Sequence, residues 1–231
     1  HGAEMQRWQY DFQSLHPCGE RMNWRSGMRT MKTILLISHS EAIKDRTMPT
    51  GELPLSDQGH RKAQELFALD VFRSVKAVYT SPYRRAYTTA EKLNRSFMVD
   101  DRLRERDLGN PETLNAAFWN RQYMDYDYKN ENGESMNDTR KRMSLAVHEI
   151  ISMMKDGDTI AIVSHAAAIC AFLLNWCSIE VMDEQKKVRK ITHNGSVVLS
   201  GKIATPSAFI LAFEDEHLCG IRYTDKEDPL S

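Results

Sequence analysis

The sequence predicts an α/β fold: a three-layer α/β/α sandwich whose mostly parallel sheet is covered by helices on both faces. Runs at 34–37 and 159–163 are continuously apolar and rich in branched residues, which is typical of buried strands. Segments with helical spacing lie between these runs and further strand-like segments. Parallel strands need crossover connections of this kind, so the alternation favours a parallel sheet.

End signals and periodicity predict the individual elements. Ser56-Asp57 offers an N-cap, and Asp156-Gly157-Asp158 ends a long helix that Glu134-Ser135 opens. Cys170 and Cys177 are seven residues apart in an apolar stretch, so we expect both on one buried helix face. The predicted order is a strand from Lys32, helix 56–69, strand 77–80, helix 84–93, a helix within 113–126, helix 134–154, strand 159–163, helix 166–176, and strands 195–199 and 208–213.

The chain divides into an extension, residues 1–30, and one domain, residues 31–231. The extension lacks sustained periodicity but carries four aromatic residues, so we expect it to dock on the domain or on a partner chain. Homo-oligomers could then form through the extension. Met31 is an alternative first residue of the protein, in which case part of the extension would not belong to it. Residues 94–132 form a long polar segment, which is typical of a cap or of an insertion that determines substrate specificity.

Composition and charge exclude several classes of protein. The 231 residues carry a net charge of −1, which gives no field for binding nucleic acid or an anionic membrane. We find no apolar run long enough to span a membrane and no secretory signal, so we expect a soluble, cytoplasmic protein. The four cysteines are scattered without metal-ligand spacing, and we interpret them as reduced thiols.

Polar residues at the ends of three predicted strands indicate a site for phosphate chemistry. Two strands end in the same dipeptide, Ser38-His39 and Ser164-His165, and a third leads through Ser81-Pro82 to Arg84 and Arg85. In open α/β sheets ligands bind outside the carboxyl ends of the strands. A neutral histidine can attack phosphorus while its other ring nitrogen stays protonated, and an arginine can grip phosphate oxygens.

A structural interpretation competes with this one. A single histidine after a strand is more often a hydrogen-bonded structural residue than a nucleophile. Two such histidines after equivalent strands, with an arginine after a third, favour a functional site. His60 and His148 lack such a setting, and we expect both on solvated helix faces.

Six segments then follow one another in a specific order, although each alone is a weak signal. They are Ser38-His39-Ser40-Glu41, Leu53-Pro54-Leu55-Ser56-Asp57-Gln58-Gly59, the run from Ser81 to Ala90, the run from Leu103 to Gly109, Gly133-Glu134-Ser135, and Val163-Ser164-His165-Ala166. Between Lys32 and Trp176 this series resembles the histidine phosphatase superfamily, also called phosphoglycerate mutase-like. The resemblance implies that fold and a phosphoric monoester hydrolase.

The resemblance also implies roles for individual residues. His39 would be the phosphorylated nucleophile and Arg85 a phosphate clamp. His165 would donate hydrogen bonds to the phosphoryl group, and Glu105 would protonate the leaving oxygen and then activate water. Ser38, Ser40 and Ala166 would complete the phosphate-binding set. Neither a metal nor another cofactor is expected, because histidine and arginine supply the positive charge.

The sequence departs from this family beside the nucleophile. Ser38 stands where the family has arginine, and Ser40 and Ala166 stand where it has glycine. Serine supplies neither the charge nor the fork geometry of a guanidinium. The pocket is therefore impaired, repurposed, or completed by another arginine, for which Arg84, Arg46 and Arg104 are candidates.

Two hypotheses follow. The first is a metal-independent phosphatase of reduced activity that acts on a small-molecule phosphate ester through phospho-His39. The second is a catalytically silent member that binds a phosphorylated ligand or a protein partner. A mutase is disfavoured because residues 42–52 lack the pattern that mutases of the family show there. The sequence leaves open a sugar phosphate, a nucleotide or a phosphopeptide as the substrate.

Overall fold

The computed structural model describes residues 31–225, and the predictions made for residues 1–30 lie outside this range. A six-stranded sheet has the order β3-β2-β4-β1-β8-β9, and a second, three-stranded sheet has the order β5-β6-β7. The strands are β1 (Lys32–Ser38), β2 (Val75–Thr80), β3 (Phe97–Val99), β4 (Thr159–Ser164), β5 (Cys177–Asp183), β6 (Val188–His193), β7 (Ser196–Lys202), β8 (Ser207–Glu214) and β9 (His217–Thr224).

The first four strands of the large sheet run parallel, and β8 and β9 are antiparallel additions. In the centre, Ser38 pairs with Ser164 at the carboxyl ends of β1 and β4. β2 ends beside them, with Thr80 opposite Val163. This register places the loops that follow the three strands at one edge of the sheet, as the sequence predicts.

Two apolar cores cover the faces of this sheet, which confirms the predicted three-layer fold. Along β1, Ile34 and Leu36 face one core while Leu35 and Ile37 face the other. Because every second side chain points to the same face, a strand buried on both faces must be apolar throughout. This explains why these runs could be identified from the sequence.

Within residues 31–225, five α-helices form the outer layers and the cap. Ser56 caps the first of them through Gly59 N at 3.0 Å, and Ser135 and Asp138 form a capping box on the longest. Together with α5, that longest helix packs on one face of the sheet, and the first two helices pack on the other. The helices are α1 (Asp57–Phe67), α2 (Arg84–Glu91), α3 (Ala116–Gln122), α4 (Met136–Met153) and α5 (Ala166–Leu173).

Several sequence predictions about the elements are wrong. Strands β5 and β6 of the second sheet were missed because their residues are only partly buried and form no continuous apolar run, whereas β7 was predicted as a strand over 195–199. As a consequence Cys177 begins β5 and does not share a helix with Cys170. Strand β9 was also missed, and His148 is half-buried rather than solvated.

The insertion is shorter than predicted. β3 pairs with β2 in the large sheet, so the stretch from residue 94 through β3 belongs to the body of the domain. The inserted segment is closed at its base where Glu134 N donates to Asp107 O at 2.7 Å. Gly109, with φ of +69°, fits this base because a Cβ there would lie 2.2 Å from Glu131 O. We call residues 107–133 the cap.

Candidate active site

The carboxyl ends of β1, β2 and β4 bring three of the predicted site residues together. Nε of Arg85 lies 3.0 Å from Nε2 of His39, and the ring centroids of His39 and His165 are 5.0 Å apart. His39 and His165 directly follow neighbouring strands, and Arg85 lies in the first turn of α2 after β2. Residues separated by 126 positions therefore share one crevice because of the strand order.

The hydrogen bonds of His39 define its tautomer. Nδ1 lies 2.7 Å from the carbonyl oxygen of Ser40, and because a carbonyl only accepts, Nδ1 carries the proton. Nε2 then holds a lone pair, which accepts from Nε of Arg85. Burial and, secondarily, the charge of Arg85 lower the pKa of His39 to about 4. The imidazole is therefore neutral near pH 7, with Nε2 as its basic atom.

Arg85 is fixed on several sides. Its Nη1 donates to the carbonyl oxygen of Thr50 at 2.5 Å, and its guanidinium lies 5.0 Å from the centre of the Tyr83 ring. The side chain is 6% exposed and contacts His39 through Nε. A fork held in this way suits an anion at Nε2 of His39.

His165 is completely buried and bound at one nitrogen. Its Nε2 lies 2.8 Å from Oγ of Ser81, while Nδ1 has no hydrogen-bond partner within residues 31–225. Ser81 Oγ already accepts from Tyr83 N at 3.2 Å, so its proton is free to point to Nε2 of His165. Burial holds the pKa of His165 well below its usual range. In the tautomer that accepts this bond from Ser81, His165 carries its proton on Nδ1, which has no partner among the described residues.

The side chain of Glu105 lies against the N-terminal turn of α5. Its Oε1 accepts from Arg106 N at 2.9 Å and from Ala168 N at 3.1 Å, so the carboxyl group binds the N-terminal turn of that helix. Burial nevertheless raises its pKa, since desolvation outweighs these hydrogen bonds and the charge of Arg85. A carboxyl group that retains its proton to a higher pH is suited to act as a general acid.

A half-buried arginine, Arg142, holds the backbone that carries Glu105. Nη1 of Arg142 donates to the carbonyl oxygens of Arg102 and Arg104 at 2.7 and 2.9 Å, and Nη2 donates to that of Glu105 at 3.1 Å. The same guanidinium is paired with Glu134 at 2.7 Å. Sequence reasoning assigned no role to Arg142, and nothing in its local sequence distinguishes it from the other basic residues of α4.

The remaining predicted phosphate-binding residues differ in their availability. Ser38 is 1% exposed, and its Oγ has no hydrogen-bond partner in the described part of the chain. Ser40 uses both of its donors, N to Thr89 Oγ1 at 2.9 Å and Oγ to Gly59 O at 2.7 Å. Ala166 is the first residue of α5 and follows His165 directly. Sequence reasoning also missed Ser81 as the partner of His165, although the Ser81-Pro82 signal marks its position.

Within residues 31–225, none of the arginine candidates for replacing the family's guanidinium makes a hydrogen bond to His39 or His165. Arg104 is paired with Glu134 and Asp101, each at 2.9 Å. Arg46 and Arg84 are exposed. Glu41, which belongs to the same motif, binds Lys62 at 2.6 Å and Ser56 at 3.1 Å, and so ties the loop after His39 to α1.

A large cavity adjoins Glu105. It has a volume of about 640 Å³ and lies between the cap, the N-terminal half of α5 and the second sheet. Within residues 31–225, no group of three or more histidine, cysteine or acidic residues is arranged to hold a metal ion. No helix in this range is long and apolar enough to cross a membrane.

Comparison with known proteins decides the family. The model of the histidine phosphatase superfamily, branch 1, matches residues 31–200. The chain belongs to this superfamily. It is 28% identical over 150 residues to the uncharacterized phosphatase PhoE of Bacillus subtilis, a match that covers 62% of this chain and 76% of that protein. Family membership and this relative support a phosphatase function.

Solved structures show the same fold. A mycobacterial glucosyl-3-phosphoglycerate phosphatase superposes with a TM-score of 0.61 at 20% identity, covering 84% of this chain and 97% of that one. A phosphoserine phosphatase from Entamoeba histolytica, in complex with 3-phosphoglyceric acid, superposes with a TM-score of 0.60 at 17% identity, covering 85% and 99%. These likenesses confirm the predicted phosphoglycerate mutase-like architecture.

Proposed function

We propose that this member of the superfamily is a metal-independent phosphatase that hydrolyses a phosphate monoester through a phosphohistidine at His39. The observation that carries the proposal is the fixed tautomer of His39, with the proton on Nδ1 and the lone pair on Nε2. A nucleophile needs this lone pair, and a general acid needs a raised pKa such as that of Glu105.

In the first step a phosphate ester enters between His39 and His165. Its oxygens draw the guanidinium of Arg85 away from Nε2, and Nδ1–H of His165 donates to another oxygen. The bond from Nε2 to phosphorus forms while the bond from phosphorus to the ester oxygen breaks. Glu105 gives its proton to the leaving oxygen, so a neutral alcohol departs.

In the second step water hydrolyses the phosphohistidine. Glu105, now a carboxylate, takes a proton from the water as its oxygen attacks phosphorus, and the bond to Nε2 breaks. Inorganic phosphate leaves, and His39 and Glu105 return to their starting states. Because Ser38 supplies no guanidinium, we expect slower turnover than with an arginine at this position.

The test is phosphorylation of His39. Brief incubation with a radiolabelled reactive phosphate ester, in the presence of a chelator, is expected to leave an acid-labile and base-stable phosphoryl group on the protein. His39→Ala should lose both the label and turnover, whereas His60→Ala, on helix α1, should keep both. Turnover that survives in His39→Ala, or that requires an added divalent metal, would reject this mechanism.

A second candidate is a silent member of the superfamily that binds a phosphorylated ligand. The observation in its favour is the loss of two phosphate-binding groups: position 38 carries no cation, and the N–H of Ser40 is taken by Thr89. The same experiment separates the two candidates. A silent protein binds the ester but shows neither label nor turnover.

A further inference from the structure

The position of Glu105 shows where the alcohol part of the substrate lies. A general acid must touch the leaving oxygen, and Glu105 lines the 640 Å³ cavity beside the cap. Ala166 and Ala167, which directly follow His165, line it as well. On the proposed function, the phosphoryl group therefore sits outside this cavity and the alcohol extends into it.

The size and walls of the cavity favour a large alcohol. Pockets that enclose drug-sized ligands have volumes of roughly 300–1,000 Å³, and 640 Å³ lies well inside that range. The aromatic side chains of Trp119, Tyr123 and Tyr126 form part of the wall from the cap. Ile179 and Val181 contribute an apolar wall from β5 on the second sheet.

One wall of the cavity carries a buried cation with a vacant donor. Arg106 is 5% exposed, its Nε donates to Glu134 O at 2.9 Å, and its Nη1 donates to Oε1 of Gln122. Its Nη2 has no hydrogen-bond partner among the residues that the structure describes, and this atom is itself buried behind the cavity wall that Arg106 helps to form. Both partners that the guanidinium does have are neutral oxygens. A buried guanidinium with an unsatisfied N–H group is costly unless a ligand binds it.

A second cation completes this wall. Arg189, on β6, lines the same cavity and interacts with the hydroxyl group of Tyr123. Lys187 also lines it, and the acidic lining residues are Glu105 and Glu184. The cationic side chains thus outnumber the acidic ones, and on the proposed function Glu105 begins the reaction as the neutral acid.

We propose that this cavity selects esters whose alcohol is large and carries a second anionic oxygen group, bound by Arg106 and Arg189. The proposal rests on the proposed function for the place of the phosphoryl group. The anion would draw the guanidinium of Arg106 towards the cavity and thereby give Nη2 a partner, and the body of the alcohol would lie against the aromatic wall. A charge-assisted hydrogen bond of this kind contributes about 1.5–3 kcal/mol, which corresponds to a roughly 10- to 100-fold change in affinity.

Phosphonates that cannot be hydrolysed test the selection independently of turnover. The probes are benzylphosphonate, its 3- and 4-carboxy derivatives, the neutral 4-carbamoyl derivative, and the 1,4-xylylene bisphosphonate. Calorimetric titration of the full chain is expected to show that an anionic probe binds about 10- to 100-fold more tightly than the carbamoyl probe. The carboxy derivatives test a carboxylate as the second anionic group, and the bisphosphonate tests a phosphonate in the same place.

Matched variants assign the effect to the two arginines. Arg189→Gln and Arg106→Gln should each reduce the preference for the anionic probes to within about threefold. Lys190→Gln removes one charge from the same strand, but its side chain points to the opposite face of the sheet, so it should keep the preference. Arg106 also binds Gln122 of the cap, so thermal melting must first show that Arg106→Gln is folded. If this variant is unfolded, Arg189→Gln alone decides the test.

The outcomes separate this inference from the proposed function. If the anionic and carbamoyl probes bind equally well to the wild type, or if Arg189→Gln keeps the preference, the selection is overturned while phosphatase activity is not. If no probe binds at all, both proposals fail. A wild-type preference without any labelling of His39 supports the anionic subsite and rejects the catalytic mechanism.

Discussion

Ser38 is the residue that most affects the expected rate of this site. It ends β1 with a buried hydroxyl group, directly before His39, where the family carries a guanidinium. None of the candidate substitutes makes a hydrogen bond to His39 in the described part of the chain: Arg104 is held by two carboxylates, and Arg46 and Arg84 are exposed. On the proposed function, Arg85 then supplies the positive charge at the phosphoryl group.

We predict that Ser38→Arg raises kcat/KM for a generic aryl phosphate. One oriented donor in such a site typically changes the rate by about 10²–10³. Ser38→Lys adds a charge without the paired N–H donors of a guanidinium, so it should raise kcat/KM less than Ser38→Arg does. Adding His39→Ala to Ser38→Arg should abolish the gain. Negligible activity in both the wild type and Ser38→Arg would contradict the impaired-enzyme hypothesis and favour the silent one.

Ser40 also has a structural role in the loop after β1. Its hydroxyl group donates to Gly59 O at 2.7 Å and its N–H donates to Thr89, so the side chain links the loop after β1 to α1 and α2. Replacing it with glycine alone would remove the bond to Gly59 O. We therefore expect Ser40→Gly to add nothing to the gain from Ser38→Arg.

At the scale of elements, Arg142 of α4 connects the longest helix to the segment that carries Glu105. We predict that Arg142→Ala lowers the free energy of unfolding by about 3–5 kcal/mol, because the half-buried Glu134 loses its main partner. Arg142→Lys should fold but lower kcat about tenfold with little change in KM, since Glu105 would be less well positioned.

Denaturant titration and the pH profile of kcat check this prediction. Lys141→Ala, one residue earlier on the exposed side of α4, is the matched control and should behave as the wild type. If Arg142→Lys retained the wild-type kcat and the wild-type decline of kcat at high pH, Arg142 would have a structural role only.

Close packing of α1 against the loop after His39 requires Gly59. A Cβ on Gly59 would lie 2.0 Å from Glu41 O, a backbone atom that cannot move without shifting this loop. Helix propensity alone predicts that Gly59→Ala gains about 1 kcal/mol. We predict instead a loss of about 1–3 kcal/mol in the free energy of unfolding, as for other overpacked sites. Gln58→Ala, at an exposed position of the same helix, is the control, and a stabilised Gly59→Ala protein would contradict this packing.

At the scale of the whole molecule, buried histidines couple stability to pH. The pKa of His39 falls from 6.5 to about 4 on folding, and that of His165 is also lowered. Between these values the unfolded chain binds more protons than the folded one, so stability is complete above about pH 6.5 and falls as the pH drops towards 4. Each fully shifted group contributes about 1.4 kcal/mol per pH unit.

Urea unfolding at pH 7 and pH 5 measures this effect. We predict a lower free energy of unfolding at pH 5 for the wild type and a smaller difference for His39→Gln. His60→Gln should keep the wild-type difference. An unchanged difference in His39→Gln would show that other groups carry the acid sensitivity.

The sequence determined the fold class and the three strand ends that form the site. Strands buried on both faces must be apolar throughout, so β1 and β4 were visible as continuous runs, and the residues after them were identified as His39 and His165. The order of the motifs extended this to Arg85 and Glu105. The fold class and the meeting of His39, Arg85 and His165 in one crevice were predictable because they depend on local pattern and on the general rule that parallel strands share one carboxyl edge. The catalytic roles of these residues and of Glu105 stay predictions.

Only the tertiary structure decided which side chains are available to a ligand. The tautomer of His39, the bond between His165 and Ser81, and the vacant Nη2 of Arg106 depend on partners far away in the chain. Strand β6, which carries Arg189, was missed because half-exposed strands lack a continuous apolar run. Burial also raises the pKa of Glu105 and lowers that of His39, and burial is a property of the packed molecule rather than of any sequence segment.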